Sequence, residues 1–93
     1  MVIGVVRLEL RFPGPQSLKE KRMILKSLTD RVRGQFNVAV AELDGMDLWQ
    51  RSLIAVAAVA ADRIRANQIL SHALEFIRRD RNLEVIQESL ELF

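Results

Sequence analysis

The sequence predicts an α+β fold in which a four-stranded antiparallel sheet carries two helices on one face. Three observations predict it. Residues 2–12 alternate apolar and charged positions in their second half, as a half-buried strand does. Residues 18–33 and 63–79 instead repeat apolar positions every three to four residues, as amphipathic helices do. Strand-like stretches at 36–43, 53–61 and 83–93 fill the rest, so the order is strand–helix–strand–strand–helix–strand.

In the first strand Leu8, Leu10 and Phe12 face one way and Arg7, Glu9 and Arg11 the other, until Pro13, Gly14 and Pro15 stop it. Ser17-Leu18-Lys19-Glu20 then reads as a capping box, in which the serine hydroxyl takes the Glu20 amide and the Glu20 carboxylate reaches back to the Ser17 amide. The helix it opens aligns Leu18, Leu25, Leu28 and Val32, with Ile24 at the margin, and Gly34 supplies a left-handed end. Phe36 to Leu43 reads as the second strand and Asp44-Gly45 as a turn. Residues 53–61 are apolar without a break, so periodicity alone fits a buried helix as well as a strand; the preceding Asp-Gly turn favours a strand. Asp62 caps a second helix whose Ala66, Ile69, Leu70, Ala73 and Ile77 form one stripe. Residues 83–93 close the sheet as a strand with imperfect alternation and a bulge expected near Ser89.

Two right-handed crossovers joined by a hairpin make the βαββαβ ferredoxin-like plait, with the first and third strands in the middle. Those two are also the most apolar, while the edge strands carry Glu42, Glu84 and Glu88. The 93 residues suffice for one domain, 1–93. Zero cysteines exclude a disulfide framework, a thiolate metal site and a cysteine nucleophile, and a single histidine argues against histidine-based metal sites or triads. Arg7, Glu9 and Arg11 interrupt the apolar start, so neither a signal peptide nor a membrane span is expected, and the predicted setting is cytoplasmic.

Several separated blocks carry a family resemblance. They are Ser17-Leu18-Lys19-Glu20-Lys21-Arg22, Leu25-Lys26-Ser27-Leu28, Phe36-Asn37-Val38-Ala39-Val40-Ala41-Glu42 and Asp47-Leu48-Trp49-Gln50-Arg51. In that order they resemble the YlxP-like proteins, a bacterial family catalogued as a domain of unknown function. The resemblance implies a ferredoxin-like fold and supports a strand at 53–61. It implies no activity; the association of such genes with genes of translation initiation and ribosome maturation is context rather than mechanism.

The net charge of +2 hides an asymmetry. Residues 1–33 carry eight bases against three acids, and residues 34–93 carry six bases against nine acids. On the first helix Arg22, Arg33, Lys26 and Lys19 fall at about 40°, 60°, 80° and 100° from Leu18, a narrow cationic arc able to track a phosphate backbone. Free amides at the start of that helix could hold an anion, although Glu20 competes for them. Lys21, at about 300°, points into the apolar arc, where it contacts a ligand or forms a structural ion pair with Glu42 or Asp44. Glu42, Asp44 and Asp47 are hard-metal donor types without calcium-loop spacing, so no metal and no cofactor is expected. His72 falls on a polar arc with no acid or nucleophile beside it, and no catalytic constellation is present, so the expected role is not enzymatic.

Two binding readings remain. RNA-recognition domains of this fold stack bases on strand aromatics, which the central strands here lack. Contact with ribosomal RNA would then use the first helix or the loops. The other reading is self-association. Only one face of the third strand can meet the helices, yet Ile54, Val56, Ala58 and Ala60 and the alternate set Leu53, Ala55, Ala57 and Val59 are both apolar. With Ile54, Val56 and Trp49 as interface residues, this predicts a homodimer or larger assembly, or docking of ribosome-associated proteins, and no membrane.

Overall fold

The computed structural model describes residues 1–93. Strand β1 (Val2–Arg11) and helix α1 (Leu18–Gln35) are followed by β2 (Ala39–Asp44) and β3 (Arg51–Ala60), then α2 (Arg63–Arg78) and β4 (Glu84–Leu92). The sheet order is β2-β3-β1-β4, with β1 antiparallel to both β3 and β4 and β2 antiparallel to β3. This is the ferredoxin-like plait. Both helices lie on one side of the sheet, over Val6, Leu8, Leu10 and Phe12 of the first strand segment and Ile54, Val56 and Ala58 of β3.

The helix starts obey their sequence signals. The Ser17 hydroxyl accepts the Glu20 amide at 3.2 Å, and the Asp62 carboxylate accepts the Arg65 amide at 2.9 Å. Glu20 reaches one residue further back than a standard capping box and accepts the Gln16 amide at 2.7 Å. From α1, Leu25, Leu28 and Val32 enter the core, and from α2, Ala66, Leu70, Ala73 and Ile77 do so.

Three local expectations are corrected. Gly34 is not a left-handed cap: it lies inside α1, and the helix is closed by extended Phe36, whose amide donates to the Val32 carbonyl at 2.9 Å. Phe36 is drawn out of the helical path by an edge-to-face contact with Phe76 of α2, ring centroids 5.6 Å apart. The bulge of β4 lies at Ile86 rather than near Ser89, because Glu9 pairs with Gln87 but Leu10 with Val85. The third correction bears on function. Leu8 pairs with Ile54 and Val6 with Val56, so Ile54 and Val56 share the helix-covered face and are 1% and 0% exposed. They cannot form an interface. Arg7, Glu9 and Arg11 must stay in water, and that requirement turns the odd-numbered residues of both central strands outward.

Candidate functional site

Helix α1 presents Lys19, Arg22, Lys26 and Arg33 to solvent. Three of the four, Arg22, Lys26 and Arg33, line one shallow groove of about 220 Å³ with Leu25, Thr29 and, from β2, Glu42. Two are already engaged. Lys26 Nζ donates to Asp30 at 2.6 Å, and Arg33 donates through Nη2 to the Val40 carbonyl at 2.8 Å while Nη1 lies 3.6 Å from Asp30. The bond to Val40 occupies a carbonyl of the edge strand and so blunts that edge. The Lys26 hydrogen bond, aided by the charges of Lys26 and Arg33, holds the Asp30 carboxyl below the usual carboxylate range. Asp30 therefore remains ionised and offsets one of the groove's cations. The pair is solvent-exposed and screened by water and salt, so a phosphate can compete for the same lysine. The start of α1 offers less, since Ser17 and Glu20 take the amides that an anion would use.

Beneath this groove lies the most constrained polar cluster of the molecule. Lys21 is 0% exposed. Its ammonium donates to Glu42 at 3.0 Å and to the Gly45 carbonyl at 2.9 Å, and stands 5.8 Å from the centroid of the Phe12 ring. The Ser52 hydroxyl donates to the same Glu42 oxygen at 2.5 Å. Gly45 is the one residue of the chain with a positive φ, at 84°, and its carbonyl also accepts the Leu48 amide at 3.0 Å. A side chain there would meet the Arg51 carbonyl at 2.9 Å, which is why glycine occupies the turn. Lys21 thus ties the first turn of α1 to the ends of β2 and β3 and fixes the 45–50 loop. Glu42 is turned inward to this lysine while Asp44 and Asp47 are exposed. His72 is exposed on α2.

The uncovered sheet face divides into two halves. Toward one end, Val59, Ile3 and Phe93 lie side by side across β3, β1 and the residue after β4, 59%, 37% and 69% exposed. Toward the other, Arg51 pairs with Glu9 at 2.8 Å, Arg11 with Glu84 at 3.2 Å and Arg7 with Glu91 at 3.9 Å. Trp49, half-exposed in the loop, stands beside Leu48, Arg11 and Arg51. Local sequence offers no means of choosing which apolar face of β3 is open, since the β1–β3 pairing joins strands separated by a helix.

Comparison with known proteins gives consistent results. The family model described as Protein of unknown function (DUF503) matches residues 3–89, a span that contains every block of the family resemblance. The Uncharacterized protein YlxP of Bacillus subtilis (strain 168) is 38% identical over 76 residues, which cover 82% of this chain and 83% of that protein. Among solved structures, the De novo designed protein Foldit4 aligns with a TM-score of 0.51 at 16% identity over 98% of this chain and 96% of that one, a likeness of fold alone.

Proposed function

The chain belongs to the DUF503 family of proteins of unknown function, and from that premise we propose that it is a non-enzymatic protein that binds structured RNA through the groove between α1 and β2. The observation that carries this reading is the convergence of Arg22, Lys26 and Arg33 on one groove. At 1.5 Å per residue the row spans roughly 16 Å along the helix, the length of several backbone phosphates. The groove contains no aromatic side chain, so it suits the backbone of a duplex rather than splayed bases. The negative charge of Glu42, which also lines the groove, is offset from below by the Lys21 ammonium, with the Ser52 hydroxyl donating to the same oxygen. Changing Lys19, Arg22 and Lys26 together to glutamine, with Arg33 left to guard β2, is expected to weaken binding to a hairpin RNA by about tenfold or more at low salt. Unchanged affinity in a gel-shift or anisotropy titration removes the groove from consideration.

A second reading is favoured by the row Val59, Ile3 and Phe93. A second copy of the chain, packed sheet to sheet about a two-fold axis, covers it, because the charges on the other half of the face are already paired within the chain and present little net charge to a copy. Sedimentation is expected to give twice the chain mass at micromolar concentration, and Val59→Glu to give a monomer. Wild-type protein that stays monomeric at high concentration contradicts this pairing.

A further inference from the structure

We infer that the open end of the sheet beside Trp49 is a binding site for a nucleobase that carries a phosphate. Arg11 and Arg51 stand directly opposite each other in the β1–β3 register, and the Phe12 amide bonded to the Gln50 carbonyl at 2.8 Å extends that pairing toward the loop. Trp49 lies in the loop two residues before the first residue of β3, Arg51. Arg11, Leu48, Trp49, Gln50 and Arg51 accordingly line one open cavity of about 490 Å³, a volume ordinary for small-molecule sites.

The chemistry of this lining is specific. Two cations face the cavity and no acid lines it. Each guanidinium is held from outside by one carboxylate, Arg11 by Glu84 at 3.2 Å and Arg51 by Glu9 at 2.8 Å. About half of each side chain nevertheless remains accessible, 50% and 55%. A guanidinium has five N–H donors in a planar fork, so one bond to a carboxylate orients it and leaves donors for a phosphate. The indole, half-exposed rather than packed in the core, offers a π-face on which a base stacks. Gln50 adds an amide, able both to donate to and to accept from a base edge. Stacking surface and phosphate donors in one cavity match a nucleotide better than either free phosphate or an apolar ligand. The chemistry is shared by a free mononucleotide and by a nucleotide in a single strand. The site lies outside the α1 groove and does not depend on it.

The chain contains one tryptophan and no tyrosine, so emission excited at the indole edge reports on Trp49 alone. Titration with adenosine monophosphate is expected to change that emission saturably, while adenosine and inorganic phosphate, each carrying half the determinant, bind at least about tenfold more weakly. Arg51→Gln and Arg11→Gln are each expected to weaken the nucleotide by about tenfold with unchanged far-ultraviolet circular dichroism. The Lys19, Arg22 and Lys26 variant is expected to bind the nucleotide as wild type does, which separates this site from the α1 groove. A short oligoadenylate that binds more tightly than the mononucleotide identifies a strand as the source; equal affinities identify the free nucleotide. No saturable change with either probe, or a change that both arginine variants retain, overturns the assignment.

Discussion

Replacing Lys21 by methionine is expected to lower the stability of the fold by about 2–4 kcal/mol. The stem keeps its volume, so packing against Phe12 survives; the loss is the ammonium that serves both Glu42 and the Gly45 carbonyl. Removing one partner of a buried pair costs about 3–5 kcal/mol, and the lower figure here reflects Glu42, whose side chain keeps 25% exposure and some hydration. For a chain of this size, each kcal/mol shifts the melting temperature by about 4–8 °C, so thermal denaturation monitored by circular dichroism resolves the effect easily. Adding Glu42→Gln removes the stranded carboxylate, and the double variant is expected to be less destabilised than the sum of the two single ones. Additive losses, or a Lys21→Met loss under about 1 kcal/mol, contradict the reading of this cluster as a coupled unit.

Phe12→Ala is expected to cost more, about 3–5 kcal/mol, as for other fully buried aromatic residues. Phe12 is 0% exposed, closes the core beyond the last paired residue of β1, and supplies the ring beneath the Lys21 ammonium. A domain whose whole stability is about 5–15 kcal/mol has little left after such a loss. Urea unfolding checks it, with Met23→Ala as control, since Met23 is 64% exposed on α1 and is expected to change stability by less than about 0.5 kcal/mol.

These two residues also show how far the sequence can be read. Lys21 stands out because its helical angle disagrees with its charge, and Glu42 is one of its two expected partners; the structure puts the two side chains 3.0 Å apart. The Gly45 carbonyl that accepts from the lysine and the Ser52 hydroxyl that donates to Glu42 are not legible, because both are placed by the β2–β3 connection, whose path depends on one positive φ. The strands and helix starts come from local chemistry: alternation in β1, Ser17 and Asp62 as caps. Gly34 misleads because the residues beyond a helix also set its end, and Phe36 leaves the helix to meet Phe76. Ile54 and Val56 mislead as interface residues for a related reason. Both faces of their run are apolar, and only the long-range register with Arg7, Glu9 and Arg11 decides between them. Of the four cations of α1, Arg22, Lys26 and Arg33 line one groove, and the ties of Lys26 to Asp30 and of Arg33 to Val40 emerge only in three dimensions.

The salt dependence of RNA binding tests the central claim most directly. If Lys19, Arg22, Lys26 and Arg33 neutralise three or four phosphates, the logarithm of the affinity for a hairpin RNA falls against the logarithm of salt concentration with a slope of about −3. The slope becomes shallower by roughly one for each cation removed. A flat profile, or a steep one that the Lys19, Arg22 and Lys26 variant shares, contradicts the groove as the RNA-binding surface.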